Sequence, residues 1–232
     1  MMIMTMTVLY KTKSGNEYPV EFGFTAAGVN HIVHEYEYIT GLCRMGCKNY
    51  GQGGGCPPYA PKFEHIAGGY SFAVLVYARL HSQYKPQRVE ASSNYYIHYR
   101  FQDIILSNLL HQIGSRIRKQ IEDRLYYLGN GYCMGCGSWK CSLKQGENRC
   151  RFPEKRTYSL EATGIHVVKT LEELFDLELE WYNHNNYREI KYMTKAIGFF
   201  CVDEETREEV MDGLVDCGSP KTAITRSFIV NI

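Results

Sequence analysis

The sequence predicts an α/β or α+β fold, in which a mixed sheet with flanking helices carries two cysteine-rich metal-binding loops. Apolar runs of strand length alternate along the chain with segments of helical periodicity, which favours a sheet covered by helices. Seven of the nine cysteines also fall into two short segments. We therefore expect a single metal-binding domain over residues 1–232, with its cysteine-rich loops at about 41–61 and 131–156.

The amino-terminal third predicts strands around the first loop. Residues 8–10 and 18–24 show strand-like alternation of apolar and polar side chains. The first loop follows at about 41–61 and is rich in glycine, which lets its backbone approach a metal site closely. Residues 71–80 (SFAVLVYARL) form a short apolar run with β-branched and aromatic side chains, which predicts a buried strand.

A long helix is the clearest element of the middle of the chain. Apolar residues recur at every fourth position and place one stripe on a helix: Ile105, Leu109, Ile113, Ile117, Ile121 and Leu125. Glycines at Gly129 and Gly131 predict that the helix ends at about 128–131. On this interpretation the helix delivers the chain directly into Cys133 and is a rigid mount for the second loop.

The last third predicts further alternation of strands and helices. Residues 164–169 (GIHVVK) predict a strand, and Thr170 followed by Glu173 forms a capping box that predicts a helix start. Residues 196–202 predict another strand, after which Asp203 caps a short helix. Residues 222–232 alternate and predict a closing strand.

The two cysteine groups share a common spacing. The first reads Cys43-x3-Cys47-x8-Cys56 and is followed by Pro57-Pro58. The second reads Cys133-x2-Cys136-x4-Cys141-x8-Cys150. Its last three members repeat the rhythm of the first group within one residue, and Cys133 is additional. One site therefore has four local thiolates and the other has three.

The four-cysteine group favours a [4Fe–4S] cluster, with zinc as the alternative. Zinc ligands are usually arranged as two close pairs, whereas this spacing contains one close pair only. A proline, Pro153, follows Cys150, as a proline follows the last cysteine of bacterial ferredoxin motifs. The neighbouring cations would stabilise an anionic cluster, and the alternatives are a solvated basic loop or an anionic substrate bound beside the metal: Lys140, Lys144, Arg149, Arg151, Lys155 and Arg156.

The three-cysteine group, Cys43, Cys47 and Cys56, leaves one position of a cubane cluster without a local ligand. An open iron would bind a substrate atom as a Lewis acid. The alternative is a distant fourth ligand, for which the sequence offers Cys217 and three histidines: His31, His34 and His65. Cys201 lies in the apolar stretch IGFFCVD and is interpreted as a core residue.

Bulk composition limits the classes of partner. The formal net charge of +1 and the charged content of 22% give no global field for nucleic acid, and no apolar run has the length of a membrane span. The amino terminus lacks the features of a signal peptide. We therefore expect a cytoplasmic protein with reduced thiols, no nucleic-acid partner and no membrane partner. The oligomeric state is not determined by the sequence.

Two runs of sequence resemble a prokaryotic family of cysteine-rich proteins described as predicted metal-binding. The first is the Cys43 to Tyr50 run together with Cys56-Pro57-Pro58, and the second is CRFPEKRTYSLEATGIHVV, residues 150–168. The resemblance implies metal binding, with iron–sulfur as the favoured centre, in anaerobic metabolism, and it supplies no reaction. It also singles out Arg156, Ser159 and Glu161 as cofactor-binding residues, which would support the cluster loop or line a substrate site.

Three functions follow from these observations. The leading hypothesis is a redox protein with two [4Fe–4S] clusters, which works in electron transfer or redox catalysis with a redox partner protein or a small-molecule substrate. The second is an open-iron enzyme of the dehydratase or desulfidase type. The third is a non-enzymatic interaction protein in which zinc holds the loops together and has only a structural role.

Overall fold

In the computed structural model, the described residues are 2–47, 49–51, 53–133, 135–136 and 140–218. They form a single mixed sheet in the strand order β1-β2-β3-β6-β4-β5. The strands are β1 (Met4–Lys11), β2 (Glu17–Gly28), β3 (Phe72–His81), β4 (Leu125–Gly129), β5 (Tyr158–Ser159) and β6 (Tyr192–Cys201). Only the β4–β5 pair of these strands is parallel, and the other pairs are antiparallel.

Helices flank this sheet, which confirms the predicted fold class. They are α1 (Tyr36–Gly46), α2 (Phe63–Ala67), α3 (Gln87–Glu90), α4 (Tyr95–Ile121), α5 (Val167–Phe175) and α6 (Glu204–Gly218). Within the described part of the chain, no helix combines the length and the apolar character needed to cross a bilayer. The strand predicted at residues 222–232 lies outside the described residues.

Alternation along β3 builds two cores, one on each face of the sheet. Val74, Val76 and Leu80 point to one face, where they pack with α4 and α6. Ala73 and Leu75 point to the other face, where they pack with α2 and α5. Because successive strand residues face opposite sides, a strand buried on both faces must be apolar throughout, as residues 71–80 are.

The predicted strands at 8–10, 18–24, 71–80 and 196–202 are confirmed. The first two lie within longer strands, and the last two each extend one residue beyond an end of the observed strand. The cap predicted for the last described helix is also confirmed. The Thr206 N–H donates to Asp203 Oδ1 at 2.8 Å, and α6 begins at the next residue after Asp203. A side-chain oxygen at this position satisfies a backbone donor that the helix itself leaves unpaired.

The predicted end of the long helix is wrong. Helix α4 ends at Ile121, and after a short turn the chain forms β4 from Leu125. Leu125 continues the every-fourth pattern by coincidence, since in β4 it faces the same core as the helix stripe. It is therefore a strand that delivers the chain to Cys133, held in place by its pairing with β6.

The strand predicted at residues 164–169 is also wrong, as is the cap at Thr170. Ile165 forms an isolated bridge with His34, and α5 begins at Val167, so Thr170 lies inside the helix. His166 is the cap, because its Nδ1 accepts the Lys169 N–H at 3.3 Å. The β-branched Val167 and Val168 indicated a strand, but burial of the apolar face of α5 overrides that weak local preference.

We predict that Ile113→Ala and Ile117→Ala each lower the free energy of unfolding by about 2–4 kcal/mol. On α4, Ile113 is 1% exposed and Ile117 is fully buried in the core that this helix forms with the sheet. Each substitution therefore leaves a cavity. Urea unfolding measures the effect. The control is Leu9→Ala on the exposed face of β1, where the side chain is 57% exposed and the change should stay within about 0.5 kcal/mol. Parent-like unfolding of both isoleucine variants would contradict this assignment of the core.

Candidate metal centre and adjoining cavity

The first cysteine group begins on a helix rather than on a loop. Cys43 lies in the last turn of α1, and Cys47 is the residue that ends the helix, with its N–H donating to Cys43 O at 3.0 Å. Sequence reasoning missed α1 because Gly41 and Gly46 lower its local helix propensity. The chain then turns back through Cys56, which is only 7% exposed and precedes a cis Pro57-Pro58 peptide bond.

The second group begins where β4 leaves the sheet. Cys133 Sγ accepts backbone N–H groups from Gly135 and Thr157, each at 3.4 Å. Further along, the buried Ser142 joins the Cys141 and Cys150 ends of the segment. Its hydroxyl donates to Arg149 O at 2.8 Å and accepts the Arg151 N–H at 3.1 Å. These bonds hold residues 141–151 in a defined path around a short 3-10 turn at Leu143–Gln145.

The two groups are in direct contact through Gly55 and Cys133. A Cβ atom added to Gly55 would lie 2.8 Å from Cys133 Cβ and 2.4 Å from Thr157 O, so only glycine permits this approach. Arg156 ties the same segments together. Its Nε donates to Gly54 O at 2.7 Å and its Nη2 donates to Tyr59 O at 3.1 Å. The cysteine-rich segments are therefore one packed unit.

The thiols of the first group have raised pKa values. Burial raises the pKa of Cys43 to about 11, with additional contributions from the Glu161 carboxylate and Cys47. Burial also raises the pKa of Cys56 to about 11. Further contributions to Cys56 come from thiols of both groups: Cys47, Cys43, Cys133 and Cys141. Cys43 and Cys56 are thus protonated near neutral pH in the metal-free chain, and a metal must displace their protons.

In the second group, the pKa of one thiol is raised and the pKa of another is lowered. Burial, followed by the neighbouring thiols, raises the pKa of Cys136. Burial acts in the same direction on Cys141, but hydrogen bonds outweigh it and lower its pKa: the donors are the backbone N–H groups of Gly54, Lys144 and Leu143 and the Cys136 thiol. Because Gly54 belongs to the first segment, Cys141 is stabilised as a thiolate by the contact between the two groups.

The fit to a metal depends on the chemistry of the donor set. Among the described residues, no three or more His, Cys, Asp or Glu side chains converge tightly enough to hold a metal ion. The structure brings seven cysteines into two adjacent groups, and thiolates are the preferred ligands of soft metals and iron–sulfur clusters. These residues suit such a centre, and Cys133, which lies between the groups, is the member that either group could use.

The distant ligands considered for the first group lie elsewhere. Cys201 and Cys217 are buried in the core formed with α4 and α6, which confirms that Cys201 is a packing residue. Helix α1, by contrast, packs against the turn at residues 161–163, beside the core on the other face of the sheet. His34 Nε2 lies 3.8 Å from a Glu64 carboxylate oxygen, and its ring packs edge-on against Phe63.

A cavity of about 780 Å³ adjoins the first group. Cys43, Cys47 and Cys56 line it, whereas no cysteine of the second group is among its described lining residues. His31, His34 and His65 are also absent from the described lining. The three-thiol site is therefore the one that adjoins this cavity.

The residues singled out by the family resemblance have different positions. Ser159 and Glu161 line the cavity, with the Ser159 hydroxyl accepting the Ala162 N–H at 3.0 Å. Arg156 is not among the described lining residues and instead holds the two segments together. Sequence reasoning missed Asn130, Trp181 and Lys195, which also line the cavity. They come from separate segments, so no local pattern could have grouped them.

The sheet brings two cysteine groups together, one of them beside a cavity, and thiols of this kind are suited to bind a soft metal. The family model described as predicted metal-binding protein (DUF2284) matches residues 29–197, well over half of the chain, and the protein belongs to this family. The matched region contains both cysteine groups. Searches of curated proteins and of solved structures found no match to the chain. The family description gives metal binding and names no metal.

We predict that Gly55→Ala lowers the free energy of unfolding by about 1–3 kcal/mol and reduces the metal content, because a methyl group at this position pushes the two segments apart. Thermal unfolding and elemental analysis of the purified protein measure both effects. The matched control is Gly53→Ala in the same segment, where no heavy atom lies within 4 Å of the added Cβ and φ is not positive. Equal behaviour of the two variants would show that the Gly55–Cys133 contact is dispensable.

Proposed function

We propose that this protein carries two [4Fe–4S] clusters and works in redox chemistry. Cys133, Cys136, Cys141 and Cys150 would hold a cluster that relays electrons. Cys43, Cys47 and Cys56 would hold a cluster beside the cavity, where a small molecule is oxidised or reduced. When bound, the clusters supply one-electron chemistry, and the protein supplies their position, their surroundings and access to the substrate.

The contact between the two cysteine groups carries this proposal. Cys56 lies near thiols of both groups, and Cys141 accepts a backbone N–H from the first segment. Two centres held this close exchange electrons readily, while a structural zinc site gains nothing from a neighbour. The cavity assigns different roles to the two centres, because its described lining includes cysteines of the first group and none of the second.

The chain's own residues support an anionic cluster in the second group. Backbone N–H groups point at the Cys133 and Cys141 sulfurs, and such bonds stabilise thiolates and tune cluster potentials. Lys140, Lys144 and Arg149 are exposed nearby. These cations would also attract an acidic redox partner protein to the side of the molecule where the relay centre lies.

We predict that Cys136→Ser and Cys47→Ser each remove about half of the iron and acid-labile sulfide, because each breaks one of two centres. Iron, sulfide and zinc analysis after anaerobic purification, together with visible absorbance, measures the loss. Cys201→Ala is the control, since Cys201 is a buried core residue and its loss should leave the iron content unchanged.

Several outcomes of this experiment are informative. A colourless protein that contains zinc would overturn the proposal in favour of a zinc-stapled interaction protein. Full iron content in both serine variants would show that the assigned cysteines are not ligands. A Cys133→Ser variant shows which centre Cys133 binds, because the spectrum of that centre should be lost.

An open-iron enzyme is the second candidate, and the cavity favours it. No fourth cysteine is among the described residues that line the cavity with these three thiols. The Glu161 carboxylate lies close enough to Cys43 to raise the pKa of that thiol, after the larger effect of burial. An iron at this site would thus be exposed to the cavity or to Glu161.

We predict that cyanide or a small thiol changes the electron paramagnetic resonance spectrum of the first centre and leaves the second unchanged, since only the first group lines the cavity. The Cys136→Ser variant, which retains the first centre, isolates the signal. Comparison with Glu161→Gln shows whether the carboxylate closes the fourth position, because the response would then appear only in that variant. No response in either protein would rule out an open iron.

A further inference from the structure

We propose that the cavity binds a small carboxylate with a flat apolar body, whose carboxylate is held by Lys195 and Asn130. This inference deepens the proposed function, because it gives the chemical class of the molecule brought to the three-thiol site. It depends on the proposed function only for the metal centre in that site, and the binding groups themselves are side chains of the described chain.

Lys195 supplies the positive charge. It lies on β6 with its side chain 18% exposed, and its ammonium group donates to Asp103 Oδ1 at 2.5 Å and to Ser107 Oγ at 2.9 Å. An ammonium has three N–H donors, so these contacts leave one for the cavity that Lys195 lines.

The charge of Lys195 is not cancelled by its partner. Asp103 also pairs with Arg100, whose Nη1 lies 2.9 Å from Oδ2, so one carboxylate is shared by two cations. The cavity also contains Glu180, but its carboxylate accepts the backbone N–H groups of Lys191 and Tyr192 at 3.1 and 2.7 Å. The cluster of Lys195, Arg100 and Asp103 therefore carries one net positive charge, which favours an anionic group at Lys195, while the other lining carboxylate, Glu161, lies near Cys43.

Asn130 supplies a donor that has no acceptor. Its side-chain Nδ2 is buried and, within the described part of the chain, has no hydrogen-bond partner, although the residue lines the cavity. Buried amide groups are normally paired, since leaving one unpaired costs free energy. Lys195 Nζ lies 4.0 Å from the position that a Cβ atom would take at Gly131, the residue after Asn130. A carboxylate between them would satisfy both donors.

Aromatic side chains provide the surface for a flat body. Tyr99 packs edge-on against Tyr182 with ring centroids 6.1 Å apart, and the Tyr182 hydroxyl donates to Gln102, which fixes this wall. Burial raises the pKa of Tyr182 to about 12, so its phenol is neutral. Trp181 and Tyr132 also line the cavity and are half exposed or more. Such rings bind flat apolar groups by stacking and edge contacts.

Phenylacetate and its neutral isostere phenylacetamide test the proposal. Acetate, which has the carboxylate but lacks the flat apolar body, is the third probe. Isothermal titration calorimetry on the purified metal-loaded protein should show phenylacetate binding about tenfold tighter than phenylacetamide, because a charged hydrogen bond is gained. Acetate should bind more weakly than phenylacetate. In Lys195→Gln the preference for the carboxylate should disappear, and in Asn130→Leu phenylacetate should bind more weakly.

Lys191→Gln is the matched control. It removes a lysine charge just before β6, but Lys191 is exposed and is not among the described lining residues, so the preference for phenylacetate should persist. Circular dichroism of both variants separates loss of folding from loss of binding. Equal binding of phenylacetate and phenylacetamide to the parent protein, or an unchanged preference in Lys195→Gln, would overturn the proposal. Acetate binding as tight as phenylacetate would overturn the flat apolar body.

The metal is measured separately in the same samples. Carboxylate selectivity in a protein that contains no iron would leave this binding site standing and remove the redox function. Full iron content with no preference for the carboxylate would overturn this binding site and leave the redox function standing. Iron and sulfide analysis beside each titration therefore distinguishes failure of the inference from failure of the proposed function.

Discussion

The close approach of Gly55 to Cys133 is the contact on which the site depends. It brings a segment that follows α1 against one that follows β4, although about 80 residues separate them in sequence. Arg156 reinforces the approach by donating to carbonyl groups of the first segment. Irregular segments with little core of their own gain order from such contacts, and bound metal would add to it.

The sheet determines where these segments meet. Strand β4 pairs with β6 and ends at Gly129, four residues before Cys133, whose sulfur accepts the Thr157 N–H just before β5. Helix α1 packs against the turn at residues 161–163, which follows β5, and carries Cys43. The Glu35 N–H donates to Gly164 O at 2.8 Å and fixes the start of that helix. The apolar cores thus position the thiols, although they contain none of the seven.

The cavity joins two kinds of chemistry. The three thiols of the first group are soft donors, whereas Lys195 and Asn130 are hydrogen-bond donors suited to a carboxylate. Glu161 lies near Cys43 and Ser159 lines the same space. A molecule bound there would contact both sets, while the second cysteine group remains outside the described lining.

The sequence by itself determined the fold class, the central strands and the two cysteine groups, because periodicity and thiol spacing are local properties. It extended α4 to about 128–131, although the helix ends at Ile121, and it placed the cap of α5 at Thr170, although the helix begins at Val167, since both depend on which face is buried against the sheet. Only the tertiary structure decided that Cys133 meets Gly55, that Cys217 lies in the core, and that Lys195 and Asn130 line one cavity. These contacts link distant segments, and their energies arise only when the sheet has formed.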